Sequence, residues 1–370
     1  MRKKHLCVTA LTFLLAFSVM GCGKKEEEPV VHPEPIVEES TETETETVET
    51  EENHDGMYQS ELTGEWIDES LKDQRPMAIM VDNESTALPH YGLSDADIVY
   101  EMMNSTANGR ITRLMVLVKD WEKIDMLGSI RSVRPTNVLL AADWNAILLH
   151  DGGPFYNDPY FAEGYTDHFS GGFWREKNGK AQEFTEYVTT EKDDNSHMTI
   201  EEQFAQYPNV TKEYNSYYKG QHLTFASEDL DLSSNSEAID ATDIKLPFSH
   251  TKSELKYNEK TGTYDHYVYG KEHVDAGNNN EVLTFKNVIL QNCTFHQYDE
   301  NGYMIYNCID PGSDGYYITN GKAVPITWVK GGETEPTRFY DESGKEIEIN
   351  VGKTYISLIP DDTWDDVKMN

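Results

Sequence analysis

The chain of 370 residues is poor in cysteine, in basic residues and in long apolar runs. It holds four cysteines, and two of them, Cys7 and Cys22, stand at its N-terminal end. One disulfide at most is therefore open to the remainder, between Cys293 and Cys308. Lysine and arginine number 31 against 66 acidic residues, a net charge of −35 at neutral pH. That balance disfavours nucleic acid and anionic lipid surfaces as partners of the folded part. The sequence also lacks Gly-x-Ser-x-Gly, His-Glu-x-x-His and Gly-x-x-x-x-Gly-Lys-Ser/Thr, which removes the common hydrolase, zincin and P-loop chemistries. Its 12 histidines are scattered. His150, His168 and His197 would meet at a metal only if folding brought them together, so neither a metal site nor a cofactor is predicted.

The one long apolar run, Leu6 to Met20, follows Arg2, Lys3 and Lys4. It is shorter than the roughly 20 residues of a membrane-spanning helix and has the flanks of a bacterial export signal. Its ending, Val19-Met20-Gly21-Cys22, resembles the lipobox of bacterial lipoproteins, in which the cysteine is lipidated and becomes the mature N-terminus. Residues 1–22 are accordingly read as a signal peptide ending at the lipidated Cys22. The expected location is the extracytoplasmic face of the cell membrane, with the membrane itself as the partner of the anchor. From residue 23 to residue 62 two lysines face fourteen acidic residues, with Thr-Glu repeats. Such a segment buries too little apolar surface to offset chain entropy, so it is predicted to be a disordered acidic tether.

The stretch from Arg75 to Gly153 has the opposite character. Pro76 to Asp82, Ile98 to Met103, Ile111 to Lys119 and Ala146 to His150 are apolar runs of strand length ending in charged residues. This is the pattern of buried parallel or mixed strands, with chemistry confined to the strand ends. Pro135 suits the first turn of a helix running to Asp143. The ends collect Asp82, Glu101, Arg113, Arg131, Arg134, His150 and Asp151, and ligands of open sheets bind in the crevice beyond such ends. Arg131 and Arg134 beside a helix start, with Arg113, Ser129 and Ser132, form a candidate pocket for a carboxylate or phosphate. The competing reading makes these arginines internal braces for Asp82, Glu101 and Asp151. Asp82, Glu101, Asp151 and His150 are also the candidates for general acid and base chemistry on a glycan. Residues 155–175 are rich in glycine and aromatics, a composition that suits either core packing or a surface that stacks on sugars.

Beyond a loose stretch around 209–242, strand-like runs separated by Asn-Gly, Ser-Gly and Thr-Gly turns indicate antiparallel sheet. Asn301-Gly302 marks one hairpin. A four-residue loop, Asp299 to Gly302, sets Cys293 opposite Cys308 and predicts a disulfide in an oxidising compartment, whereas a two-residue loop breaks that pairing. The fold class is α+β: an N-terminal α/β part (63–230) with a mixed sheet and flanking helices, packed on a C-terminal antiparallel β-rich part (240–365).

The segments RPMAIMVDN, GLSDADIVYE, ITRLMVLV, GSIRSVRP and HDGG, followed by GYYITNGKAVPITWVKG and GKTYISLIP, resemble the YerB-like lipoprotein family in order and spacing. The resemblance spans residues 73 to 360. It implies an exported, lipid-anchored protein with an α/β part and a β-rich part, and it implies no activity. The residues favour a binding or scaffolding protein of the cell envelope, acting on a wall glycan or an envelope protein through an anion-binding crevice. The alternative is a wall-glycan hydrolase with paired carboxylates.

Overall fold

The computed structural model describes residues 53–192 and 196–370. The segments read as signal peptide, lipidated Cys22 and tether lie, as far as residue 52, outside the described residues. The last residues assigned to the tether are part of the fold. Met57–Gln59 pairs with Trp66–Asp68, and Ser60, Glu61 and Leu62 are buried. Glu61 is drawn in by the ammonium of Lys119 at 2.5 Å, and Leu62 by the core, so the acidic composition gives way to structure before residue 63.

One mixed sheet dominates the structure. Its N-terminal strands are β1 (Met77–Asp82), β2 (Ile98–Met103), β3 (Thr112–Val118), β4 (Ile147–His150) and β5 (His168–Ser170). β1 to β4 are buried along their whole length, which explains their continuous hydrophobicity. A short strand, β6 (Ile239–Asp240), precedes the C-terminal strands. Those are β7 (Asn287–Cys293), β8 (Asp310–Thr319), β9 (Lys322–Lys330), β10 (Arg338–Tyr340) and β11 (Thr354–Pro360). The order is β6-β9-β8-β7-β11-β2-β3-β1-β4-β5, with β10 also on β9. β11 pairs parallel to both β7 and β2, so the two parts of the α+β fold share a sheet through backbone hydrogen bonds.

Alternation along the strands sorts side chains to two faces. Met77, Ile79 and Val81 meet Ile244, Leu255, Tyr264 and Phe285 from a second, antiparallel sheet of the C-terminal part. Ala78 and Met80 point the other way, into the cluster that contains α1 (Pro135–Asp143). Proline opens α1 where its missing N–H costs nothing, and the Asn137 side chain accepts the Arg134 N–H at 2.9 Å. Thr199 and Glu202 form a capping box on a second helix, α2 (Ile200–Gln206).

The hairpin after β7 has the four-residue loop. Tyr298 N–H donates to Tyr303 O at 2.7 Å, and Phe295, His296 and Gln297 face Tyr306, Ile305 and Met304. The disulfide expected from that register is nonetheless absent: Cys293 and Cys308 are buried free thiols. Cys293 remains in β7 beside Pro360, whereas Cys308 donates its N–H to Tyr306 O and turns out of the ladder. Burial pushes the Cys308 thiol up to about 12, so it stays protonated.

Candidate anion site

β1 and β3 place Asp82 directly opposite Arg113 at one end of the sheet, and β4 runs parallel to β1 and delivers His150 and Asp151 beside them. The loop from Gly128 to Arg134 is laid across these ends by backbone bonds. Asp82 N–H donates to Ser129 O at 3.0 Å, Arg131 N–H to Met80 O at 3.0 Å and Val133 N–H to Gly152 O at 3.2 Å. The loop then enters α1. Three arginines reach this junction, and they have different surroundings.

Arg131 is a brace. Its Nε lies 2.5 Å from a carboxylate oxygen of Asp82, which is only 2% exposed, and its Nη1 lies 2.8 Å from Glu183. Arg113 and Arg134 form no ion pair among the described residues. Arg113, 8% exposed, donates from Nη1 to Ser132 O at 2.6 Å and Ser132 Oγ at 3.1 Å. Arg134, 9% exposed, donates from Nη1 to Val133 O at 2.9 Å and to Ser132 Oγ at 3.4 Å, with its Nε unpartnered. Its guanidinium lies 4.9 Å from the centre of the Tyr303 ring. Burial pulls Arg113 down to about 9, with the Arg134 charge adding to the effect, and pulls Arg134 down to about 10. Both remain cationic at neutral pH. Two nearly buried positive charges thus sit at the positive end of α1 with neutral oxygens as their hydrogen-bond partners among the described residues, the Asp82 and Glu84 charges acting on Arg113 without a direct ion pair, an arrangement that a carboxylate or phosphate would complete. Ser129, also expected to donate here, is buried with its hydroxyl unpartnered.

The candidate acids and bases are held differently. Glu101 is fully buried and accepts hydrogen bonds from Asn83, Thr112, Thr251, Ser253 and Tyr355. Burial raises its pKa, and its partners tie β2 to the C-terminal part. His150 is neutral, pulled down to about 4 by burial, with its ring nitrogens 2.8 Å from Gly152 O and 2.9 Å from His168 Nδ1. His197 stacks edge-on against Trp174 instead. Asp151 pairs with Arg175 at 3.3 Å. Arg175 also holds Glu186 at 2.7 Å, and burial together with the Asp151 charge pushes Glu186 up to about 8. Among the described residues, no group of histidine, cysteine and acidic side chains is arranged to hold a metal ion.

Sequence reasoning missed Glu186 and Arg175, which lie outside the strand-end pattern. It also missed a row of three buried histidines. His90 Nδ1 is 2.7 Å from His273 Nε2, and His273 Nδ1 is 2.9 Å from His266 Nδ1. His90 Nε2 must donate to Asp82 O, 2.6 Å away, which fixes each tautomer in turn and leaves His266 Nε2 a buried, unpartnered acceptor. Burial holds His90 near 4 and His266 near 3. No local spacing links His90 to His273, 183 residues further along the chain.

A family model described as the N-terminal domain of a protein of unknown function (DUF3048) matches residues 62–232, and the model for the C-terminal domain matches 244–356. The chain belongs to the DUF3048 family. This DUF3048 chain is 25% identical over 309 residues to "Putative lipoprotein YerB" of Bacillus subtilis (strain 168), covering 81% of this chain and 86% of that one. The crystal structure of the YerB protein from Bacillus subtilis has the same fold. The TM-score is 0.70 at 21% identity, over 85% of this chain and 99% of the other. The YerB-like resemblance read from the strand-end motifs is thereby established. No helix among the described residues of the DUF3048 chain is long and apolar enough to cross a membrane.

Proposed function

We propose that the protein is a lipid-anchored, extracytoplasmic binding protein that captures an anionic ligand between Arg113, Arg134, Ser132 and the first turn of α1. The observation that carries this reading is the pair of arginines, each more than nine-tenths buried and, among the described residues, without a carboxylate in an ion pair. A buried charge is costly unless it is paired, and in a chain at −35 carboxylates are abundant. Two cations without an ion pair among the described residues, amid that surplus, support the reading of a place kept for a ligand. Catalysis is less well supported, because Glu101 is sealed in the core while Asp82 and Asp151 are engaged by arginines.

The test is calorimetric titration of the detergent-solubilised full chain with inorganic phosphate, and separately with acetate, at low ionic strength. One binding event that weakens with added salt and disappears in Arg134→Gln is expected; absence of binding by phosphate and by acetate alike overturns the reading. Anchoring is tested separately. The lipobox-like ending at Cys22 predicts that Cys22→Ala releases the protein from membranes, and continued retention contradicts lipidation.

A further inference from the structure

Next to Arg134 the structure assembles aromatic rings that an inorganic anion does not need. Tyr303 lies under the guanidinium. Tyr156 is 6.1 Å from Tyr303 and stacks on Tyr298 at 4.4 Å with 9° between the rings. Phe155 lies 4.2 Å from Tyr156 and is 69% exposed, so the ladder ends in a ring open to solvent. The rings come from both parts of the fold, the turn after β4 and the hairpin after β7. They are pinned there: Asn157 Nδ2 donates to Val133 O at 3.3 Å, and the Tyr156 hydroxyl donates to Asp299 at 3.2 Å. Behind Tyr298 lies a cavity of about 380 Å³ lined by Leu139, Tyr160, His296, Ile305 and Glu333. Its size falls within the roughly 300–1,000 Å³ of small-molecule sites.

We propose that the anion is the charged group of a sugar: a saccharide bearing one phosphate or carboxylate, bound by Arg113 and Arg134, with its ring on the Phe155–Tyr156–Tyr298 ladder. This inference rests on the anion-capture reading above and adds the class of ligand. The C–H face of a sugar ring stacks on aromatic faces while its hydroxyls need hydrogen-bonding neighbours, and Tyr160, His296 and Glu333 supply them around the rings. Asp299 and Glu333 also repel further negative charge, which confines the ligand's anionic group to the arginine end. A lipid headgroup fits less well, because its tail would have to leave through this polar surround.

The experiment titrates the full chain with N-acetylglucosamine 1-phosphate, glucuronate, N-acetylglucosamine, inorganic phosphate and acetate. At least one charged sugar is expected to bind ten-fold or more tighter than both its parent anion and the neutral sugar, and the preferred arm distinguishes phosphate from carboxylate as the charged group. Phe155→Ala and Tyr298→Ala should remove that advantage while leaving phosphate affinity unchanged. If neither charged sugar binds more tightly than its parent anion, while phosphate or acetate still binds, the sugar inference is overturned and anion capture is left intact. Failure of every probe to bind overturns both.

Discussion

The two ends of α1 carry charge of the wrong sign for the helix dipole, and they are treated differently. At the C-terminal end Asp143 is fully buried, and it is closed by the Lys330 ammonium and by Thr337, whose hydroxyl donates at 2.7 Å. Lys330 is itself fully buried and donates to Glu333 O and Glu335 O. At the N-terminal end Arg113 and Arg134 have only carbonyl and hydroxyl oxygens. Negative charge is disfavoured at a helix C-terminus and positive charge at its N-terminus. One violation is neutralised within the fold and the other is left open. The contrast separates an end that is closed within the fold from one that, on the proposed reading, an anion would complete.

Removing the compensation at the finished end should have the largest effect. Lys330→Met leaves Asp143 buried without its cation and is expected to cost about 3–5 kcal/mol in denaturant unfolding. Pairing it with Asp143→Leu should recover most of the loss, since apolar replacement of a whole buried pair is often neutral. A double variant as unstable as the single one would mean that packing, not charge, closes this end. Arg131 belongs with the finished end although it neighbours the open one. Arg131→Gln strips Asp82 of its cation, and because Arg131 is itself 20% exposed the expected loss is about 3 kcal/mol, at the low end of that range.

An effect of similar size is expected from pH. His90 is held near 4 in the folded chain against 6.5 in the unfolded one. Its depressed pKa means that the unfolded state binds the proton first, so stability is complete above about pH 6.5 and falls as pH drops towards 4. Glu186, raised to about 8, works in the opposite sense: its contribution is present below about pH 4.5 and fades as pH rises through 8. Comparing wild type with His90→Gln isolates one term. The gap in unfolding free energy should narrow by about 3 kcal/mol between pH 7 and pH 4. A gap that does not change with pH would show that His90 is not a buried neutral group.

Much of the open end was legible in the sequence. Continuous apolar runs ending in charge located β1 to β4, Pro135 located the start of α1, and the spacing of Arg131 and Arg134 pointed to the crevice. The place of Arg131 before the helix start, against that of Arg134 at it, already favoured Arg131 as the brace; what sequence alone could not supply was the partner of each arginine. That depends on Glu183 and on the strand register that brings Asp82 to the loop. The finished end was not legible at all, because Asp143 and Lys330 are far apart in sequence and no periodicity marks such a pair. The shared sheet escaped for the same reason: β11 joins β2 across more than two hundred residues, and its composition resembles any buried strand. Cys293 and Cys308 show the reverse failure. The hairpin loop and register were readable, yet the chain leaves the ladder at Cys308.

The smallest expected change in stability tests the central claim most directly. Arg113→Gln/Arg134→Gln and the wild type are unfolded in denaturant, first in phosphate-free buffer and then in phosphate. Without the anion the double variant should match the wild type or exceed it by about 1 kcal/mol, because two unpaired like charges have been removed. With phosphate the wild type alone should gain, by RT ln(1 + [L]/Kd), and the order should reverse. A double variant that is several kcal/mol less stable in the absence of anion would contradict the account and make these arginines braces like Arg131.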